Sequence, residues 1–231
     1  MKRFWKAAAP VRGDTGWTIE LDGRPVRTPA RALLQVGHEP LAQAIAAEWH
    51  EAGETVDPRA MPLTGLANAA LDRIGPEQET YAAGLARYGE SDLLTYRADS
   101  PQALIDRQSA AWDPLLAWAR RRYDVDFVVT SGVAPVTQAQ NTVERLRHAV
   151  AALDAFTLAG LSPIVTIGGS LVAGLAVLEQ AFSPEDAWTA VTVDDAWQLE
   201  KWGSDAEAEQ ALANRRAEFF AGARLLELVR G

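Results

Sequence analysis

Carboxylates are the residues best able to do chemistry in this chain, and two pairs stand out: Asp194 with Asp195, and Asp124 with Asp126. Paired carboxylates can divide acid and base roles when their surroundings push their pKa values apart. Neighbouring residues on a helix point about 100° apart, so Asp194 and Asp195 cannot form a close acid–base pair unaided. Asp124 and Asp126, on a turn or strand start, read as a solvated edge. Other chemistries lack their residues. There is no cysteine, which removes disulfides, thiolate nucleophiles and zinc–sulfur sites. His38, His50 and His148 stand far apart and form no ligand-spaced pair. Ile167-Gly168-Gly169-Ser170 has no following lysine and is not a phosphate loop. Close helix packing explains its glycines better. No serine sits in a nucleophile-elbow pattern.

Asp194 and Asp195 lie in the stretch from Ser183 to Trp202. Ser183 can cap a helix, Pro184 suits its first position, and Glu185 and Asp186 suit the positive end of its dipole. Trp188, Val191, Leu199 and Trp202 then recur at helical spacing, which predicts one helix over residues 184–202. Asp195 takes the place that would complete this apolar stripe. Burying a carboxylate there without a partner is costly. Two readings stay open: the stripe leaves the core at Asp195, or the aspartates are held out for another molecule's cation or backbone donors.

The 231 residues suffice for one large domain or two small ones, and 48% apolar with 23% charged residues is ordinary for a globular chain. The net charge of -9, with no basic stretch, argues against nucleic acid as a partner. Eight tryptophans occur, several beside acids, as in Glu48-Trp49-His50-Glu51 and Trp112-Asp113. Most belong to a core, Trp49 among them. Many aromatics next to acids without a catalytic constellation are also what a protein-binding surface contains. The N-terminal residues are basic without an apolar run, so no signal peptide is expected and a cytoplasmic location fits. Residues 155–178 carry no charge, long enough to span a bilayer, but Pro163 and four glycines interrupt them. A buried helix beginning near Pro163 is expected, with no membrane insertion.

These features need elements to place them. Gly16–Leu21 alternates as a strand, Asp22-Gly23 is a hairpin turn, and strands return over residues 24–28 and 31–36. Leu41, Ile45 and Trp49 mark a first helix. A second, capped by Thr64, carries Leu66, Ala70 and Ile74 and breaks at Gly75-Pro76, and a third covers residues 76–88. Asp92 and Arg97 are placed to form an internal ion pair. The helix over residues 101–123 contains Pro114, which predicts a kink or break at Trp112-Asp113. A short strand over 125–130, a loop from Ser131 to Pro135, and helices over 138–160, 163–181 and 184–202 follow. A last helix, started by Ser204, buries Leu212, Phe219, Leu226 and Val229. The expected fold class is α+β: a small antiparallel β-containing N-terminal domain, residues 1–88, followed by a mainly helical C-terminal domain, residues 89–231.

Several blocks together resemble one known family. They are Arg3-Phe4-Trp5-Lys6, the run from Leu21 to Ala30 (LDGRPVRTPA), Ala47-Glu48-Trp49, the run from Met61 to Asn68 (MPLTGLAN), the run from Ser91 to Arg97 (SDLLTYR), Gln108 through Leu115, and Lys201-Trp202-Gly203. In this order and spacing they resemble the assembly chaperones of the F-type ATP synthase that bind its alpha subunit. The family often has an aspartate after its Glu-Trp pair, where this chain has His50. The resemblance implies a chaperone and not an enzyme, binding the free alpha subunit and shielding the surface that later meets the beta subunit. It implies no nucleotide or metal, and no cofactor is expected. A monomer in the bacterial cytoplasm is expected, or in the mitochondrial matrix if the source is eukaryotic and the transit peptide is absent. It also points to acidic residues near the C-terminal Trp-Gly block, in agreement with the independent reading of Asp194 and Asp195. The expected partner-binding residues are therefore Asp194, Asp195, Glu200 and Trp202, against core packing for Trp202 and a solvated helix face for Glu200. The alternatives are a helical enzyme using carboxylates gathered by folding and a small-molecule carrier with the Gly-rich helix as a wall.

Overall fold

The computed structural model describes residues 2–132, 134–203 and 205–230. Val133, in an expected loop, and Ser204, the expected start of the last helix, lie outside the described residues. The chain forms two compact units. The first comprises Met1–Gln78 with Asp154–Gly160 and Arg224–Gly231, the second Glu79–Leu153 with Leu161–Ala223.

In the first unit, strand β1 (Ala8–Gly13) pairs antiparallel with β2 (Gly16–Leu21). β2 also pairs antiparallel with β3 (Arg24–Pro25) and β4 (Gln35–Val36). The returning strands are shorter than expected. The hairpin turn stands where Asp22-Gly23 predicts it, with φ of 48° and 78° at the two residues. The backbone N–H groups of Ala7 and Lys6 donate to the Asp22 carboxylate and hold its pKa below the ordinary range. Helix α1 (Glu39–Glu51) packs on β1 and β2 through its apolar stripe, and Leu41, Ile45 and Trp49 are buried. The Trp5 indole N–H donates to the Trp49 carbonyl at 3.0 Å, which explains both tryptophans as structural.

Helix α2 (Pro62–Ala69) corrects one expectation. Thr64 lies inside it and does not cap it. The Glu48 carboxylate, brought in from α1, accepts the Leu63 and Thr64 N–H groups at 2.7 and 2.8 Å and the Thr64 hydroxyl at 2.7 Å. Nor does Gly75-Pro76 break the chain. A π turn (Ala70–Ile74) and a 3₁₀ turn (Gly75–Glu77) carry it on to α3 (Gln78–Ala86).

The second unit centres on α4 (Gln102–Tyr123), which packs against three later helices, α7 (Leu171–Leu178), α8 (Pro184–Val191) and α9 (Val193–Trp202). Pro114 lies within α4 and does not interrupt it. Buried Trp112, Leu115 and Leu116 hold both sides of the proline, and the Trp112 indole donates to the Ala190 carbonyl at 2.6 Å. Tertiary packing thus outweighs a local cost of ~3 kcal/mol for an interior proline. The stretch before Thr130 is irregular. Only Thr130–Ser131 pairs, as β6, in parallel with β5 (Tyr96–Arg97). The backbone of Val128 instead bonds both ends of the buried Gln138 amide, each at 2.9 Å.

Two expected helices are cut differently. α5 (Gln140–Ala151) ends early, and α6 (Ala155–Gly168) starts well before Pro163 because the Asp154 carboxylate caps it through Phe156 and Thr157. Gly169, at φ 65°, then turns the chain, and the Ser170 hydroxyl accepts the Ala173 N–H to start α7. The glycines do serve packing. A Cβ on Gly168 would meet Val191 at 3.3 Å, and one on Gly174 would meet Val165 at 2.6 Å. Among the described residues no helix is long and apolar enough to cross a membrane.

The stretch from Ser183 to Trp202 is two helices, not one. Ser183 caps α8 as expected. Thr192 ends it, its hydroxyl donating to the Trp188 carbonyl at 2.7 Å, and Val193 begins α9. A last helix, α10 (Ala206–Leu228), buries Phe219 and Leu226, but Leu212 and Val229 are only partly covered. The expected Asp92–Arg97 ion pair is absent. Arg97 bonds Asp113 at 2.6 Å and stacks on Trp112, while Asp92 receives backbone N–H groups.

Candidate partner-binding site

The break at Thr192 puts Asp194 and Asp195 in the first turn of α9, where the helix dipole favours negative charge. Their divergence on the helix sends them to different neighbours, as the 100° spacing requires. Asp194 accepts the Gln108 amide N–H of α4 at 2.8 Å, and the oxygen of the same buried amide accepts the Ala98 N–H at 2.8 Å. Asp195 faces α10, where Arg215 lies at 3.3 and 3.4 Å from its two oxygens. These contacts are longer than that of Asp194.

Further along α9, Glu200 accepts from Arg107 of α4 at 2.7 Å with both side chains about half exposed. That bond holds the Glu200 carboxyl below its ordinary pKa. Arg107 and Lys201 both lie over the Trp197 ring, 4.8 and 4.7 Å from its centroid, and cover it. Trp202 is different. It is 77% exposed, which removes the core-packing reading of this residue. Gly203 closes the helix at φ 76°, its N–H donating to the Leu199 carbonyl.

Beyond Gly203 the chain returns as α10, and α9 and α10 enclose an open groove of about 370 Å³. Leu199, Trp202, Ala208, Ala211 and Leu212 supply its apolar lining, and Asp195 and Arg215 stand in it as an ion pair. Two parts of this site escape the sequence reading. Arg107 and Gln108 engage Glu200 and Asp194 from a helix some ninety residues away. The α10 wall was legible in principle, because Ala208, Ala211, Leu212 and Arg215 follow i, i+3, i+4, i+7 spacing. Among the described residues, no group of three or more histidine or acidic side chains could hold a metal. What the arrangement can do is bind: an exposed aromatic, an apolar groove and carboxylates around them.

Known proteins share this fold. The sequence profile of the ATP12 chaperone protein family matches residues 2–120. The crystal structure of Atp12 from Paracoccus denitrificans superposes with a TM-score of 0.94 at 41% identity, covering 99% of this chain and 98% of that one. Atu1473 from Agrobacterium tumefaciens does so with a TM-score of 0.94 at 33% identity, covering 99% and 86%. The protein atp12, mitochondrial, of Schizosaccharomyces pombe is 27% identical over 221 residues, 90% of this chain and 76% of its own length. These likenesses define a chaperone and not an enzyme. The chain belongs to the ATP12 chaperone family, the assembly chaperones of the ATP synthase.

Proposed function

We propose that this chain binds the free alpha subunit of the ATP synthase catalytic head and shields the surface that later packs against the beta subunit. The observation that carries this reading is Trp202, 77% exposed at an apolar groove that Asp195 also lines. Trp202 does not stand alone: with Leu199, Ala208, Ala211 and Leu212 it forms an apolar surface beside acids, the arrangement that marks an interaction site. Asp194, Asp195, Glu200 and Trp202 form the partner-facing surface, all of it on residues 89–231, the proposed C-terminal domain. No cofactor takes part. Release follows when the beta subunit competes for the same surface. The working compartment is the bacterial cytoplasm or the mitochondrial matrix, and the working form a monomer.

The test is co-purification with a separately expressed alpha subunit, beside an Asp194→Lys, Asp195→Lys double variant. Capture of alpha, lost in a variant that still folds, is the expected result. Capture retained by the variant moves the site elsewhere. Failure to capture an alpha subunit that stays in solution overturns the function.

A further inference from the structure

We infer that the α9–α10 groove seats an apolar side chain carried on a basic segment of the client subunit, with Asp195 exchanging its internal arginine for a cation of that segment. This inference rests on the reading of the surface as the chaperone's binding site and says what chemistry occupies it.

Shape comes first. The groove of about 370 Å³ lies at the small end of ligand sites, which run from about 300 to 1,000 Å³. It is open to water, so a free small molecule would leave much of itself solvated. A chain segment covers the opening as it inserts one side chain. Trp202 stands at the rim as a rigid wall with large area and few rotatable bonds, the kind of anchor that dominates interface energetics.

Charge selects the segment. Residues 194–218 hold seven acids (Asp194, Asp195, Glu200, Asp205, Glu207, Glu209, Glu218) against three bases (Lys201, Arg215, Arg216). A second copy of this chain would bring the same sign of charge and a net -9 of its own. A nucleic acid or an anionic membrane is opposed for the same reason. A segment carrying lysine or arginine beside its apolar residue is complementary.

Geometry picks the exchanging acid. Asp194 is held by Gln108 at 2.8 Å and Glu200 by Arg107 at 2.7 Å. Asp195 meets Arg215 only at 3.3 and 3.4 Å, and both side chains are partly exposed. Contacts at the long end of the hydrogen-bond range, in water, are the easiest to replace. An incoming cation takes the place of Arg215 without leaving a buried charge unpaired.

The experiment uses the full chain and the purified alpha subunit. The affinity of a Trp202→Ala variant is compared with that of the parent, and p-benzoylphenylalanine placed at position 202 is photo-crosslinked to bound alpha and mapped by mass spectrometry. The exposed position leaves folding intact, which thermal melting checks. The expected result is a loss of roughly tenfold or more in affinity, with crosslinks on an alpha segment that has apolar residues beside lysine or arginine. Undiminished affinity, or crosslinks on an acidic or purely polar segment, overturns the groove assignment while capture by the parent chain keeps the proposed function. No capture by the parent chain overturns both.

Discussion

The carboxylate of Asp92 receives the backbone N–H of Val172 at 2.9 Å, across eighty residues of sequence. Its other oxygen accepts the Leu94 N–H at 3.1 Å. One buried side chain thus caps its own 3₁₀ turn (Leu93–Thr95) and the start of α7 together. The first turn of a helix has N–H groups without intrahelical partners, and here an acid from a distant turn satisfies one of them. The Leu93 N–H donating to the Gly169 carbonyl at 3.0 Å closes the joint from the other side. This joint fixes α7 against the chain that leads into α4, the helix on which α9 and its acidic surface rest.

Removing the Asp92 carboxylate should therefore cost the second unit dearly. In Asp92→Ala two buried N–H groups lose their acceptor, each worth about 1–3 kcal/mol. We expect a destabilisation of ~3 kcal/mol, measured as a drop in the urea midpoint at an unchanged slope.

Burial, which disfavours the charged form, raises the Asp92 pKa from 3.8 to about 6, and the bonds from Val172, Ser170 and Leu94 oppose it less strongly. Between about pH 4 and pH 6 the folded protein then holds a proton that the unfolded chain has released. Stability arising from this group is fully present below that window, falls as pH rises through it and is flat above. At 1.36 kcal/mol per pH unit the change amounts to ~3 kcal/mol. Urea titrations from pH 4 to pH 7.5 on the parent and on Asp92→Asn should differ in slope within this window and run parallel above it.

Glu48 performs the same service in the first unit. It crosses from α1 to cap α2 with three bonds, and burial raises its pKa against the pull of Thr64 and Leu63. Glu48→Gln keeps one acceptor oxygen and turns an amide N–H₂ toward a donor. We expect a loss of ~1 kcal/mol for glutamine and ~2 kcal/mol for alanine, read from thermal melts at pH 7.5.

Gly174 tests the packing of α7. Its missing Cβ leaves room that Val165 and Leu161 fill, at 2.6 and 3.0 Å from where a methyl would stand. Gly174→Ala improves helix propensity by ~1 kcal/mol but overpacks the contact, which costs about 1–3 kcal/mol. The net expectation is a lower melting temperature, opposite in sign to an alanine at the open and exposed position Gly84.

Local patterns told most of what lies near in sequence. The alternation of Gly16–Leu21, the Asp22-Gly23 turn, the Leu41–Ile45–Trp49 stripe and the Ser183 cap all appear as read, because each depends on neighbours within a few residues. The misplaced boundaries share another cause. Pro114 and Pro163 remain inside helices because their neighbours are buried, and α8 ends at Thr192 although its apolar stripe continues in the letters. Asp92, Glu48 and Gln108 find their partners 80, 15 and 86 residues away, and no periodicity reveals a bond to a distant backbone N–H. At the candidate surface the sequence singled out the two aspartates and Trp202. It did not show that Asp194 and Glu200 are already engaged from α4, which leaves Asp195 as the acid most loosely held.

The most direct test of the central claim is calorimetric titration of the purified chain with isolated alpha subunit, and separately with isolated beta subunit. The expected result is a one-to-one complex with alpha of micromolar affinity or tighter, weakened by salt, and none with beta. Absence of binding to soluble alpha, or equal binding to both subunits, would contradict it.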